Sequence, residues 1–194
     1  MTIVQTAMSI SLDGFVAGSG GGAADVGLHN WLTDGDTPSR MNPSFRLSEP
    51  SAEFFDEGVG TIGAVVAGRR TYDVSNAWGG RGPMPGLPLF VVTHRAPDAA
   101  PSSDSPYTFV TGGVEAAVAQ ARAAARDRDV HLMGANIIQQ AIRAGLLDEL
   151  VLSLVPVVLG DGVRLLDGLP RLQLEVVRVI SAPGVTHLTY RVVR

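Results

Sequence analysis

Three short segments of the chain, each directly after an apolar run, carry residue types that suit the binding of a phosphate group. The first is Gly68-Arg69-Arg70-Thr71, which follows an apolar run over 63–68. A glycine lets a ligand approach the backbone, a helix start offers unpaired N–H groups, and guanidinium groups bind phosphate oxygens in pairs. The alternative is an ordinary basic helix start whose threonine supports the turn.

The second segment is Thr93-His94-Arg95, which follows an apolar run over 87–93. It could also be a solvated basic loop. If the two apolar runs are consecutive parallel strands, however, both basic segments lie at one edge of the sheet. Neither segment has the acidic residue that binds the bare ribose of NAD. The pair therefore favours a 2′-phosphate and NADPH.

The third segment is Gly134-Ala135-Asn136-Ile137, which joins an apolar strand to a helix with almost no loop. Such a turn brings backbone N–H groups close to a diphosphate. It lacks the full G-x-G-x-x-G pattern of dinucleotide-binding folds. The alternative is a tight strand–helix turn with Asn136 as the N-cap.

Two acidic residues are candidates for catalysis. Asp13 lies beside Gly14 at the end of the first predicted strand, where it could contact a substrate, orient a water or only form a turn. Glu53 lies in the first turn of a helix predicted over 51–58 with Ser51 as its N-cap. It could bind the N–H groups of a heterocycle or only stabilise the helix start. The four histidines are dispersed, so no metal site is predicted.

The elements that would position these residues follow from hydrophobic periodicity. Strands are predicted over 2–12, 63–68, 87–93, 107–111, 130–134, 149–159 and in a hairpin over 172–193, and helices over 69–76, 113–128 and 136–145. This alternation predicts an α/β fold with a mainly parallel sheet and an antiparallel C-terminal edge. The long segment 18–50, rich in glycine and proline, is expected to be a wall or lid over a pocket, with a short helical piece.

Composition limits the class of protein. The chain has 194 residues, of which 45% are hydrophobic and 18% charged, as in a single globular domain over 1–194. The net charge of −4 does not favour a nucleic-acid or anionic-membrane partner. The absence of cysteine excludes disulfides and thiol catalysis. With no membrane-spanning run and no signal peptide in view, we expect a cytoplasmic protein.

Taken in order, these segments resemble the dihydrofolate-reductase-like fold. The resemblance is closer to the C-terminal domain family of bifunctional deaminase-reductases, whose reference member is the reductase of riboflavin biosynthesis. It covers nearly the whole chain, and the matching stretches are 11–17, 65–72, 131–136, 145–150 and 155–162.

The resemblance implies a three-layer sandwich with NADPH bound along the strand ends and hydride transfer to a small heterocyclic substrate. It implies that 68–71 and 93–95 hold the adenosine phosphate side and that 134–137 lies under the diphosphate. Ser9 to Val16 would face the nicotinamide. Many relatives are homodimers, so a homodimer is implied as well.

Three features depart from the family pattern. The usual Gly-Gly pair is Gly134-Ala135 here, and no zinc deaminase signature is present. The long 18–50 segment is an insertion that is expected to reshape the substrate pocket. The expected activity is therefore that of a stand-alone reductase resembling 5-amino-6-(5-phosphoribosylamino)uracil reductase or dihydrofolate reductase. The alternatives are a non-catalytic nucleotide-binding or ligand-sensing module on the same fold, or a self-associating scaffold.

Overall fold

The computed structural model describes residues 2–20, 26–97 and 105–194. In these ranges the strands are β1 (Val4–Ser11), β2 (Phe15–Ala17), β3 (Thr37–Pro38), β4 (Arg46–Leu47), β5 (Ile62–Gly68), β6 (Leu89–Val92), β7 (Tyr107–Val110), β8 (Asp129–Met133), β9 (Glu149–Val155), β10 (Val163–Arg164), β11 (Gln173–Ala182) and β12 (Val185–Val193). The α-helices are α1 (Glu49–Thr61), α2 (Arg69–Val74), α3 (Gly113–Ala125) and α4 (Ala135–Arg143).

The strands confirm the predicted α/β fold. Eight of them form a sheet in the order β11-β12-β9-β1-β8-β5-β6-β7. The pairs β1–β8, β8–β5, β5–β6 and β6–β7 are parallel, whereas β9–β12 and β12–β11 are antiparallel. The predicted C-terminal hairpin is thus the antiparallel edge of a mostly parallel sheet. No helix among the described residues is both long enough and apolar enough to span a membrane.

The chain divides into two compact units, and β1 contributes to both. The first unit comprises Met1–Thr6 and Ile62–Asp148. Its core lies along β5 and β6, where Val65, Leu89 and Val91 are almost fully buried and Tyr72 and Trp78 pack against them. Helix α3 is predicted correctly because alanine and valine recur on its buried face.

The second unit comprises Ala7–Thr61 and Glu149–Arg194. It holds β9, the hairpin β11–β12, helix α1 and the described part of the 18–50 segment. Residues 21–25 of that segment lie outside the described ranges. The predicted short helical piece is a 3₁₀ turn over Asn30–Leu32. Leu28 and Leu47 are fully buried, so core contacts anchor the segment, and its role as a lid stays a prediction.

Three predicted boundaries in the second unit are wrong. Helix α1 begins at Glu49 rather than Ser51, because Pro50 fits the first turn, where its missing N–H costs nothing, and it ends at Thr61 rather than at residue 58. Ser51 is therefore inside the helix and its hydroxyl does not cap it. Strand β9 ends at Val155 rather than near residue 159, because Pro156 follows and cannot donate to the ladder.

Candidate functional site

The phosphate-binding candidates of the first unit lie together at the carboxyl ends of adjacent parallel strands. Gly68 pairs with Val92, and Ala67 pairs with Met133. Residues 69–71, 93–95 and 134–137 therefore all begin at one edge of the sheet. This register places the two basic segments, 69–71 and 93–95, after adjacent strands, as the sequence predicts.

The starts of α2 and α4 interlock at this edge. A Cβ added to Gly68 would lie 3.1 Å from Cγ1 of Ile137. A Cβ added to Gly134 would lie 2.3 Å from Oγ1 of Thr71. Each glycine thus receives a side chain from the other helix, and this contact gives both glycines a packing role besides any role toward a ligand.

Gly134 also gives α4 an uncapped start. It has φ +92°, which favours glycine, and no side chain caps the helix. The N–H of Ile138 donates to the carbonyl of Gly134 at 3.1 Å. The N–H groups of Ala135, Asn136 and Ile137 belong to the first turn of α4 and have no carbonyl acceptor within the helix. Such an end attracts an anion.

Asn136 and Ala135 occupy the first turn of α4. Asn136 is the second helical residue, so the interpretation of it as the N-cap is wrong. Its Oδ1 accepts a hydrogen bond from Nε2 of Gln140 at 2.6 Å. Ala135 is the first helical residue and needs no positive φ, which explains why alanine can replace the second glycine of the family's pair.

The two arginines of the first segment differ in their contacts. Nε of Arg69 donates to both carboxylate oxygens of Asp73, at 2.8 and 3.0 Å. Both side chains are about half exposed, so the pair is weak and can be exchanged for a stronger partner. Arg70 is exposed on the same short helix.

The second segment is built around a buried hydroxyl. Thr93 is only 8% exposed, and its hydroxyl donates to the carbonyl of Arg95 at 2.8 Å. Thr93 thus closes its own turn, and this bond holds the backbone that carries His94 and Arg95. Both of those residues are exposed.

A fourth strand end was missed from the sequence. Val92 pairs with Val110, so Thr111-Gly112-Gly113 follows β7 at the same edge as Thr93. Gly113 has φ +85°, and the start of α3 carries no side-chain cap. The signal was a glycine pair directly before an alanine-rich helix. This turn is a further candidate for contact with an anion.

In the second unit, Asp13 organises the turn after β1. Its carboxylate accepts bonds from the hydroxyl of Ser11 at 2.6 Å and from the N–H groups of Leu159 and Gly160 at 3.1 and 2.8 Å. The Ser11 bond, followed by the backbone bonds, lowers the pKa of Asp13 to about 2. Because a carboxyl with this pKa is ionised at neutral pH, Asp13 is suited to positioning and poorly suited to donating a proton.

Replacing Asp13 with Ala is expected to free the 159–160 turn. The Leu159 and Gly160 amides lose their acceptor, so their hydrogen exchange should accelerate, while exchange at the amides of β11 stays unchanged. Amide exchange measured by mass spectrometry or NMR checks this. Unchanged protection of both amides would mean that Asp13 does not hold the turn.

The other candidates of the second unit have different surroundings. Ser9 is buried, and its hydroxyl accepts a hydrogen bond from Nε1 of Trp31 at 2.9 Å, which ties the 18–50 segment to β1. Val16 is 3% exposed, so little of it is open to a ligand. Glu53 is exposed on α1. The roles of these residues stay predictions.

A buried histidine network beneath α1 was also missed. His187 is 1% exposed, with Nε2 2.9 Å from the hydroxyl of Ser51 and Nδ1 2.9 Å from that of Ser153. Phe54 stacks on its ring, and Trp31 meets it edge-on. Burial lowers the pKa of His187 to about 4. Its neutral ring therefore joins α1 to β9 and β12.

Comparison with known proteins agrees with this architecture. The model of the RibD C-terminal domain matches residues 2–187. No curated protein matches the chain.

Three solved structures show the same fold. A Shewanella sp. PV-4 protein, described provisionally as a riboflavin biosynthesis protein, has a TM-score of 0.75 at 22% identity, with 100% of both chains covered. A pyrimidine reductase-like protein from Corynebacterium diphtheriae has a TM-score of 0.66 at 16% identity, covering 100% of this chain and 92% of that one.

The third is a diaminohydroxyphosphoribosylaminopyrimidine deaminase/5-amino-6-(5-phosphoribosylamino)uracil reductase from Thermotoga maritima. Its TM-score is 0.67 at 14% identity, and the match covers 99% of this chain and 57% of the Thermotoga chain. The family model covers almost the entire chain, and this match agrees with the motifs in the sequence. The chain therefore belongs to the RibD C-terminal domain family.

Proposed function

We propose that this protein is a cytoplasmic, homodimeric, NADPH-dependent reductase of a small heterocyclic substrate. The observation that carries the proposal is the edge of the first unit where Gly68–Thr71, Thr93–Arg95 and Gly134–Ile137 meet at adjacent strand ends. Parallel sheets bind nucleotides at this edge. The family's reductase character supports the same conclusion.

The residues present fit the phosphates of NADPH. The uncapped start of α4 offers N–H groups to a diphosphate, and Gly134 keeps this backbone free of a side chain. Arg69, Arg70 and Arg95 would bind the 2′-phosphate, since a dianionic phosphate attracts a guanidinium more strongly than one exposed carboxylate does. Thr93 holds the turn that carries Arg95, and Thr71 packs the start of α2, which carries Arg69 and Arg70, against Gly134.

When bound, the nicotinamide supplies the hydride, and the protein supplies position and electrostatics. In the second unit, Ser9, Asp13 and Val16 belong to β1, its turn and β2, and we propose that they shape the nicotinamide and substrate region. Asp13 would act there as a fixed carboxylate. The exposed carboxylate of Glu53 would accept hydrogen bonds from N–H groups of the heterocycle.

The substrate class is proposed from the family and the solved structures. One of these is named as pyrimidine reductase-like and another as a uracil-derivative reductase. A pyrimidine with a C=N or C=O group to be reduced is therefore the first substrate to test, with dihydrofolate as the second.

Replacing Arg69 with Ala is expected to weaken NADPH binding about 10-fold or more and NADH binding much less, because one charge-assisted bond to the 2′-phosphate is lost. Fluorescence titration with both cofactors measures the difference. Arg70→Ala is the parallel variant.

The matched control is Asp73→Asn, which removes the carboxylate that competes for Arg69. This variant should bind NADPH at least as tightly as the unmodified protein. Equal losses for NADPH and NADH in Arg69→Ala and Arg70→Ala would contradict the 2′-phosphate role, and absence of NADPH binding to the unmodified protein would contradict the proposed function.

A non-catalytic nucleotide-binding or ligand-sensing module is the second candidate. It is favoured by the state of Asp13, whose lowered pKa and three hydrogen bonds leave it a poor proton donor. Such a module would bind NADPH tightly, yet the cofactor's absorbance would not decay with any of the pyrimidines or with dihydrofolate.

A further inference from the structure

The segment between α2 and β6 contains a run of positive φ angles, from Asn76 to Gly80. In chain order the five angles are 46°, 50°, 49°, 63° and 86°. Ala77, Trp78 and Gly79 also have ψ angles of 25°, 39° and 26°, so they form a left-handed helical turn. We call residues 76–80 the left-handed turn.

This conformation is costly for the residues of the turn that carry a Cβ. In the left-handed region the Cβ lies too close to the following carbonyl oxygen, and residues other than glycine adopt it singly rather than in runs. Asn76 tolerates it better than Ala77 or Trp78 does. Backbone strain of this kind persists only where the surrounding structure imposes it, and it is concentrated at functional sites. The contacts that hold the turn are therefore informative about its role.

Tyr107, the first residue of β7, holds the left-handed turn through its hydroxyl. The hydroxyl donates a hydrogen bond to the carbonyl of Ala77 and accepts one from the N–H of Gly82 at 3.1 Å. It thus joins the middle of the turn to the chain that leaves it. The side chain of Trp78 adds a second contact, because it packs against the buried core of β5 and β6.

The left-handed turn is continuous with α2. The N–H of Trp78 donates to the carbonyl of Ser75 at 2.8 Å, and the N–H of Ser75 donates to the carbonyl of Thr71 at 3.1 Å. The ring of Tyr107 also contacts α2 directly, edge-on to the ring of Tyr72 with the centroids 5.2 Å apart. Tyr107 therefore braces both α2 and the turn that follows it.

The length of α2 explains why such a brace matters. The helix has only six residues, so its own hydrogen bonds give it little stability. Its first turn carries Arg69, Arg70 and Thr71, and Thr71 packs against Gly134. The direction of α2 therefore decides where the two guanidinium groups lie.

We propose that Tyr107 is a positioning residue for the proposed phosphate site. Its hydroxyl holds the left-handed turn, the turn fixes the end of α2, and α2 presents Arg69 and Arg70 to the 2′-phosphate. Tyr107 pairs with Leu89 at the amino ends of β7 and β6, whereas Thr93 follows their carboxyl ends, so Tyr107 acts through α2 and not by contact with the cofactor. The inference rests on the proposed function, because it concerns the binding of NADPH.

The first test is Tyr107→Phe, which removes the hydroxyl and keeps the ring beside Tyr72. The left-handed turn is then populated only in part, and the apparent Kd rises by the inverse of that population. We expect NADPH affinity to fall about 5-fold or more. Fluorescence titration measures it at a temperature where circular dichroism shows the variant to be fully folded. Tyr72→Phe is the matched control, since it removes a hydroxyl from the same pair of rings without touching Ala77, and its NADPH affinity should be unchanged.

A second variant separates positioning from general stability. Ala77→Gly lowers the cost of the left-handed turn, because glycine adopts positive φ as readily as negative φ. Combined with Tyr107→Phe, it should restore most of the lost affinity for NADPH.

Trp78 reports the conformation of the turn directly. The chain has two tryptophans, so Trp31→Phe leaves Trp78 as the only one. In this background Tyr107→Phe should shift the fluorescence emission of Trp78 to longer wavelength, since the indole loses part of its packing against the core, and Ala77→Gly should reverse the shift.

Three results would overturn the proposal while leaving the proposed function intact. They are an NADPH affinity that Tyr107→Phe does not change, an affinity that Ala77→Gly does not restore, and an emission of Trp78 that stays unchanged in Tyr107→Phe. Absence of NADPH binding to the unmodified protein would overturn both the proposal and the proposed function.

Discussion

Gly134→Ala should destabilise the protein by about 2–4 kcal/mol, because it combines two separate costs. Alanine at φ +92° is strained, and its Cβ would lie 2.3 Å from Oγ1 of Thr71. Thr71 can relieve this contact by rotating its hydroxyl out of its present rotamer or by moving the start of α2 away from α4, and either change disturbs the packing of the two helix starts. Urea unfolding measures the stability, and NADPH titration should show weaker binding, since both helix starts lie in the proposed phosphate site.

Two further variants separate the costs. Gly145→Ala also has a positive φ, +66°, but a Cβ there meets nothing within 4 Å, so it should cost only about 1 kcal/mol. The double variant Gly134→Ala with Thr71→Ala lacks the colliding hydroxyl, so it should regain about 1–3 kcal/mol of the lost stability. If the double variant is no more stable than Gly134→Ala, the interlock of α2 and α4 does not contribute to stability.

Acid should destabilise the protein well before its carboxylates titrate. Burial lowers the pKa of His131 and of His187 from 6.5 to about 4. Because the folded pKa is depressed, the stabilisation is complete above pH 6.5 and is lost as the pH falls toward 4. For each histidine, the free energy of unfolding should fall by about 2 kcal/mol between neutral pH and pH 5. Urea unfolding across this pH range measures the decrease.

Single replacements assign this loss to its sources. His131→Leu and His187→Gln should each remove about half of the decrease between neutral pH and pH 5. Burial lowers the pKa of His29 as well, so a smaller slope will remain in the double variant. Asp13 also has a lowered pKa, but a carboxylate's contribution is lost only below about pH 4. A slope unchanged in both variants would contradict the prediction.

His131 offers an additional readout at neutral pH. It is 5% exposed, and its Nδ1 has no hydrogen-bond partner among the described residues. A buried polar atom without a partner costs about 1–3 kcal/mol. His131→Leu should therefore keep or raise the stability at neutral pH, whereas His187→Gln should lower it, because it disrupts contacts with Ser51 and Ser153.

Local chemistry in the sequence was sufficient for most of the fold. Apolar runs of strand length, the alanine-rich period of α3 and the turn Pro183-Gly184 predict their elements because each signal lies within a few neighbouring residues. The same holds for the family, whose motifs are short stretches in a characteristic order. The start of α1 and the end of β9 differ from the predicted ones because Pro50 fits the first turn of a helix and Pro156 cannot donate to a strand ladder.

The sequence by itself determined that Gly68–Thr71, Thr93–Arg95 and Gly134–Ile137 are candidates for binding phosphate, since residue type and position after a strand suffice for that. Only the tertiary structure decided that Gly134 receives Thr71, that Asp73 holds Arg69 and that Asp13 holds a turn near residue 160. These features depend on contacts between distant segments and on strand register, and neither is encoded in local periodicity.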